Sequence, residues 1–298
     1  MNAADALRTS GIDPLDAELL LAHTLRTSRE HLLAHPGESI RPAALRWFRG
    51  LVARRRKHEP VALLIGHKHF YDLTLAVAPG VLIPRPETEL LVETALAMTA
   101  AGDAGPGLPP RARRSTAGWP SGRTRGVHIL DVGTGSGAIA LALAKHVPKA
   151  RVLGTDLSPV ALRLARKNAR LLGLTRRVRF VRTDLLPHRG GKTPPLQPDI
   201  IVANLPYLPT AVWRSAPQDV KRYEPRSALD GGRDGLDAYR ALFAQIAGRG
   251  RRCPIIIEID PSQKRILPRV VKTFFPKADV SFKKDLAGRW RIAIITSG

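Results

Sequence analysis

One cysteine, Cys253, stands in a chain of 298 residues. A single thiol excludes an intramolecular disulfide, and a reducing compartment is expected. Acidic residues are also scarce: 25 Asp and Glu face 48 Lys and Arg, for a formal net charge of +23. That excess makes polyanions such as nucleic acid or a ribonucleoprotein candidate partners. The 36 Arg and 12 Lys, alongside abundant Ala, Gly and Pro, also fit a coding bias, and charge alone defines no binding face. No apolar run approaches the length of a bilayer span. The start, Met1-Asn2-Ala3-Ala4-Asp5, has neither the basic residues nor the apolar stretch of a signal peptide. A soluble cytoplasmic protein without a membrane partner is expected. The hydrophobic share of 44% supports a sizeable core, and the length suits one large domain with a small one.

The first third reads helical. Asp13-Pro14 opens a helix, with the acid as cap and Pro in the first turn. Leu15, Leu19, Leu20, Ala22, His23 and Leu25 are expected on its apolar face. A second helix over 41–59 carries Leu45, Phe48, Leu51 and Val52 on one side. It ends in Arg54-Arg55-Arg56-Lys57, which suits the negative helix terminus or an RNA contact. Pro60 closes it. A hairpin follows over 69–77, bounded by Pro79-Gly80. Pro84-Arg85-Pro86 then fixes an extended loop ahead of an apolar helix over 90–100. Segment 102–126 is rich in Gly, Pro and Arg and has neither helical nor strand period. It reads as a flexible insertion or a basic arm for RNA.

From Val127 onward the pattern alternates. Strands are expected over 127–132, 151–155, 177–182, 199–203, 254–259, 278–283 and 290–296, and helices over 136–146, 158–172, 236–248 and 263–275. Alternation of this kind specifies a mostly parallel sheet covered by helices on both faces. The last two strands have no helix between them and are expected to pair antiparallel.

Two turns carry the chemistry. The first follows His128-Ile129-Leu130-Asp131-Val132 and reads Gly133-Thr134-Gly135-Ser136-Gly137. Alternate glycines bend the backbone tightly and admit a ligand without a side chain in its way. The spacing is G-x-G-x-G, whereas the dinucleotide fingerprint is G-x-G-x-x-G. Asp156 ends the next strand nineteen residues after Gly137. Its carboxylate can accept from ribose hydroxyls or cap the helix at Ser158-Pro159. Asp184, after the third strand, can accept from an adenine amino group or form a turn.

The second turn, Asn204-Leu205-Pro206-Tyr207, closes the apolar run Ile200-Ile201-Val202-Ala203. The Asn204 side-chain carbonyl and the Leu205 backbone carbonyl can accept both hydrogens of one planar N–H2 group. Pro206 holds Leu205 extended, and Tyr207 can stack on the flat acceptor. The pair of turns reads as S-adenosylmethionine-dependent methylation of an amide or amino nitrogen. No metal site is expected.

These residues resemble those of the bacterial peptide-chain release factor glutamine methyltransferases. The likeness rests on Glu59-Pro60-Val61, on Val81-Leu82-Ile83-Pro84-Arg85-Pro86-Glu87-Thr88-Glu89-Leu90-Leu91-Val92-Glu93, and on Asp131 to Ala140. Tyr223-Glu224-Pro225 with Ala228-Leu229, Gly232 to Asp237, and Asp285-Leu286-Ala287-Gly288-Arg289 extend it. The resemblance implies a seven-stranded Rossmann-like α/β methyltransferase domain over 81–298, with 102–126 as an insertion. A helical domain over 1–60 would dock the release factor, and a hairpin over 61–80 would join the two. S-adenosyl-L-methionine would meet Asp131, Gly133, Thr134, Gly135, Gly137, Asp156, Asp184 and Asn204. Asn204, Leu205, Pro206 and Tyr207 would hold the glutamine of a Gly-Gly-Gln tip, with Arg85, Glu87 and Thr88 beside it. A monomer is expected, with a weak RNA contact through its basic surface.

The chain departs from the family pattern at three places. Leu205 stands where Pro is usual, and Asn-Leu-Pro-Tyr also occurs in methyltransferases acting on adenine. Arg252-Cys253-Pro254 replaces Pro-Gly-Gly, and Asp260 replaces a Gly. An adenine N6-methyltransferase acting on RNA or DNA is therefore the alternative. A nucleic-acid-binding protein that has lost catalysis is a third reading, opposed by the intact turns.

Overall fold

The computed structural model describes residues 1–101, 126–187, 197–250 and 253–297. The expected insertion over 102–126 lies outside the described residues except at Gly126, as does Arg252. Five helices open the chain: α1 Ala3–Arg8, α2 Pro14–Leu25, α3 Arg29–Ala34, α4 Pro42–Arg55 and α5 Val61–Ile65. Asp13 caps α2 as expected, its Oδ1 accepting from the backbone N–H of Leu15 at 2.9 Å. The apolar face of α2 is shifted from expectation. Ala17, Leu20, Leu21 and Thr24 are buried, and Leu15 is 48% exposed. They meet Phe48, Leu51 and Val52 of α4 in one cluster, which α5 completes through Leu64. The helix expected over 41–59 is thus two, broken before Pro60.

Helices α1 and α3 were not legible because six residues carry little period. Their caps define them instead: Asn2 accepts from Asp5 N–H at 2.8 Å, and Ser28 accepts from His31 N–H at 3.1 Å. The basic end of α4 is a fastening point within the protein. Arg54 bonds Glu59, Arg55 bonds Asp16 at 2.6 Å, and Arg56 donates to the Ser10 carbonyl.

A short hairpin follows, β1 His67–Phe70 and β2 Leu73–Ala76. It lies six residues inside the segment first expected to hold it, because 61–65 is helical. Buried Asn168 fastens β2 to the main body. Its Oδ1 accepts from Ala76 N–H at 2.9 Å, and its Nδ2 donates to the carbonyls of Ala76 and Ser136.

The remaining chain forms α6 Glu89–Ala101, β3 His128–Val132, α7 Ala138–His146, β4 Arg151–Asp156, α8 Pro159–Leu171, β5 Val178–Arg182 and β6 Ile200–Ala203. Then come α9 Thr210–Arg214, α10 Gln218–Tyr223, α11 Asp237–Ala247, β7 Ile255–Glu258, α12 Leu267–Phe274, β8 Ala278–Lys284 and β9 Trp290–Ser297. Helices α9 and α10 occupy the stretch expected to be irregular. The helix expected over 263–275 begins as a 3₁₀ turn, Pro261–Arg265. Pro268 lacks an N–H, so the α-helical ladder starts only at Leu267.

Seven strands make one sheet in the order β5-β4-β3-β6-β7-β9-β8. The first five run parallel, and β9 is antiparallel to both of its neighbours. Period-2 alternation divides the core. Ile129, Val152, Ile200 and Val202 point into the cluster containing α6 and α7 residues. Leu130, Leu153, Ile201 and Ile257 point into the cluster containing α11 and α12 residues. The strand order reverses between β3 and β6, so the crevice above their carboxyl ends is the expected place for a ligand.

Candidate active site

Strands β3 and β6 are hydrogen-bonded neighbours, with Val132 opposite Ala203. Their next residues are Gly133 and Asn204, so the sheet register itself brings the two turns together. The contact is tight. A Cβ on Gly133 would lie 2.7 Å from Leu205 Cδ2. The backbone N–H groups of Gly133 and Thr134 both donate to the Thr155 carbonyl, at 2.9 and 2.8 Å. Gly133, Gly135 and Gly137 all have positive φ, between 56° and 84°, a region in which a side chain would be strained.

A cavity of about 480 Å³ opens over these turns. Gly133, Thr134, Gly135, Asp156, Asp184, Asn204, Leu205 and Pro206 line it, with Arg85 and Thr88 from the other side. Asp156 is tied by two backbone donors: Gly135 N–H reaches Oδ2 at 2.9 Å and Ser158 N–H reaches Oδ1 at 2.8 Å. It therefore takes both expected parts, bracing the helix start and presenting a carboxylate edge to the cavity. Asp184 is exposed at the rim. Its neighbour Leu185 also lines the cavity, with φ +62, and its carbonyl is held by Thr155 Oγ1 at 2.8 Å.

Asp131 and Gly137 stand beneath the cavity wall. Burial pushes the Asp131 carboxyl up to about 7, opposed by the Thr134 hydroxyl, which donates to Oδ2 at 2.6 Å. Its Oδ1 has no hydrogen-bond partner. A Cβ on Gly137 would crowd Leu141, Ala165 and Phe180, so this glycine serves helix–sheet packing.

A second cavity of about 380 Å³ adjoins the first. Glu87, Tyr207, Val212, Val220 and Arg291 line it, and Arg85 and Asn204 line both cavities. The Asn204 amide nitrogen donates to Thr88 Oγ1 at 3.0 Å, which leaves Asn204 Oδ1 as an acceptor. Beneath the turn, Leu205 N–H donates to the Tyr239 hydroxyl at 3.3 Å. That hydroxyl donates to the Glu258 carbonyl at 2.5 Å. Tyr207 donates its hydroxyl to Glu258 Oε1 at 2.8 Å. Burial and the adjacent Glu258 push the Tyr207 phenol far above its ordinary value, so it remains a donor.

Several of these supports were invisible in the sequence. Tyr239 and Glu258 look like ordinary core and strand residues. Gln263 donates to the carbonyls of Tyr207 and Asp234 at 2.8 and 3.0 Å. Asp260, the departure from a family glycine, caps the turn that carries Gln263; their side chains bond each other's backbone N–H. With φ at −73°, Asp260 needs no glycine. Arg85 forms an ion pair with Glu224, whose other oxygen accepts from Ile83 N–H at 3.1 Å. The proline-rich loop is thereby clamped to the segment after α10. Burial pushes Glu224 up, and Arg85 pulls it back.

The cavity fits a nucleoside-type cofactor on its own terms. It has a side-chain-free floor at Gly135, where an added Cβ would meet no protein atom within 4 Å. It also has a braced carboxylate at Asp156 and apolar walls from Val81, Leu82, Ile139, Leu157, Ala161 and Leu185. Among the described residues no group of three His, Cys, Asp or Glu side chains could hold a metal ion. No helix among them is long and apolar enough to cross a membrane.

Sheet order, glycine turn and the Asn204 turn together define a Rossmann-like methyltransferase dependent on S-adenosyl-L-methionine. A family model described as a PrmC N-terminal domain matches residues 1–66, and one described as a methyltransferase domain matches 129–223. Release factor glutamine methyltransferase of Moorella thermoacetica is 41% identical, covering 93% of this chain and 89% of its own. That of Bordetella pertussis is 41% identical, covering 97% of each chain. The chain belongs to the release factor glutamine methyltransferase family. The crystal structure of the N-terminal domain of human METTL16 shares the fold, with TM-score 0.50 at 14% identity over 76% of each chain.

Proposed function

We propose that the protein methylates the side-chain amide nitrogen of the glutamine in the Gly-Gly-Gln motif of peptide-chain release factors. The observation that carries this reading is Asn204 standing at the junction of two cavities. One suits the cofactor and the other a side chain entering from a protein partner. S-adenosylmethionine, when bound, supplies an electrophilic methyl group. Gly133, Thr134, Gly135, Asp156 and Asp184 would hold it, with Asp131 and Gly137 shaping the turn from below.

The chain's own work is positioning. An amide nitrogen is a poor nucleophile because its lone pair is delocalised. Asn204 Oδ1 and the Leu205 carbonyl accept its two hydrogens, which fixes the nitrogen and favours positive charge building on it. Tyr207, held by its hydroxyl, closes one side of the acceptor's plane. No base has to act first, since the methylated nitrogen becomes acidic and loses its proton afterwards. Arg85, Glu87 and Thr88 line the passage between the two cavities. The helical unit over residues 1–66 provides a docking surface for the release factor, joined through the hairpin.

Identity of about 40% with named release factor methyltransferases over nearly the whole chain supports this substrate class above adenine. The test is incubation of the enzyme and labelled cofactor with release factor, with a release factor whose motif glutamine is replaced by glutamate, and with RNA. Label is expected in the first alone. Label in RNA alone supports the adenine alternative and ends the proposal.

A further inference from the structure

We propose that Glu258 is a positioning residue that decides, through Thr88, which end of the Asn204 amide faces the substrate. This rests on the reading of Asn204 as the substrate's hydrogen-bond acceptor.

Glu258 lies at the end of β7, beside β6, and is completely buried. It lines neither cavity, so it does not touch substrate or cofactor. Its Oε1 accepts from the Tyr207 hydroxyl at 2.8 Å. No bond of ordinary geometry reaches Oε2. The Thr88 hydroxyl is the other donor acting on this carboxyl: hydrogen bonding from Thr88 and Tyr207 and the charge of Arg291 counter the upward push of burial and of Glu87. Tyr239 is the remaining titratable neighbour; its phenol is raised by Glu258 and donates to the Glu258 backbone carbonyl.

A threonine hydroxyl has one proton and two lone pairs. With its proton directed at Glu258, Thr88 Oγ1 can only accept from Asn204. The 3.0 Å contact from Asn204 Nδ2 to Thr88 Oγ1 is that bond. The Asn204 amide is thus polarised from behind, with N–H2 toward Thr88 and Oδ1 toward the substrate amide. Without a carboxylate at 258 the Thr88 proton is released. It can then donate to Asn204 Oδ1, and the amide turns over. Asn204 would then present N–H2 to a substrate N–H2, donor against donor.

Two kinds of variant separate this role from simple packing. Glu258→Met keeps the volume and removes the acceptor; Thr88→Val keeps the shape and cuts the link. Each should lower kcat/KM toward release factor by about 10²-fold, the scale of a misplaced reactive group. Cofactor affinity by calorimetry should stay close to wild type. In the double variant the losses should not add, because both break one chain of bonds. Thr88→Ser, which keeps the hydroxyl, should restore most of what Thr88→Val loses. Losses that multiply, with reduced cofactor affinity, would mean a merely structural role and overturn the proposal.

A second readout needs no turnover. In NMR spectra of the labelled full chain, the Asn204 side-chain N–H2 pair should show cross-relaxation to Thr88. Glu258→Met should abolish it. Persistence of that contact in a folded Glu258→Met protein would overturn the proposal whatever the substrate is. Failure of the wild type to methylate release factor, with the NMR result as expected, would instead count against the proposed function alone.

Discussion

Asn204 bears the largest chemical demand on a single side chain. Asn204→Ala removes an acceptor and leaves the glycine turn untouched. Turnover should be lost while cofactor affinity, measured by calorimetry, stays nearly intact. Asp156→Ala should do the reverse to binding. Losing a charged hydrogen-bond partner costs about 1.5–3 kcal/mol, so cofactor affinity should fall about tenfold or more. An unchanged titration would remove Asp156 from the cofactor's hydrogen bonds.

Asp131 gives a pH prediction at the same scale. Its carboxyl has an ordinary value of 3.8 and is raised to about 7 in the folded protein. Between these values the unfolded chain releases the proton and the folded protein keeps it. The stability Asp131 contributes is therefore complete below about pH 4 and is lost as pH rises toward 7. Wild-type stability relative to Asp131→Asn should decline across that window and level off above it. Denaturation of both proteins from pH 4 to 8 checks this; a difference independent of pH would contradict it.

At the scale of elements, the substrate turn is held by parts that share no sequence neighbourhood with it. A Cβ on Gly231 would stand 2.4 Å from the Pro206 carbonyl oxygen, and one on Gly235 would stand 2.1 Å from that of Tyr207. Backbone cannot yield as a flexible side chain would. Gly235→Ala should therefore displace Tyr207 and lower kcat with little effect on cofactor affinity. The clamp between Arg85 and Glu224 makes a second prediction. Arg85→Ala leaves a carboxyl whose side chain is 2% exposed without its cation. It should destabilise the protein by about 1–3 kcal/mol. The deficit should grow as pH rises from about 4.5, because burial then keeps Glu224 protonated only in the folded state. Thermal denaturation at two pH values reads both effects.

Elements with strong periods were legible in the sequence. The strands ending at Val132, Asp156 and Ala203 are short apolar runs bounded by glycine, aspartate and asparagine, and their bounds fell within a residue or two. The helix face of α2 was misjudged at Leu15, because four consecutive apolar residues from Leu19 to Ala22 fit more than one stripe. Short helices such as α1 and α9 rest on caps and proline starts, which carry less pattern than a heptad. The supports at Glu258, Tyr239, Gln263 and Glu224 were hidden for a different reason. Each acts across a sequence distance set by sheet order, and nothing local marks them.

On the scale of the whole molecule, the register between β3 and β6 does the decisive work. It joins a turn built around residue 133 to one built around residue 204 without any loop spanning the gap. The N-terminal helices attach at the substrate side, where the Tyr223 hydroxyl donates to the Lys57 carbonyl at 3.2 Å. Three of the four basic residues ending α4 are engaged inside the protein. That segment of the +23 charge is accounted for without RNA.

Tandem mass spectrometry of a release factor incubated with the enzyme and S-adenosylmethionine tests the central claim most directly. The account expects one added methyl group, fragmenting with the side-chain amide of the glutamine in the Gly-Gly-Gln motif, and none when Asn204 is replaced by Ala. A methyl group on any other residue, or an equal yield from the Asn204→Ala enzyme, would contradict it.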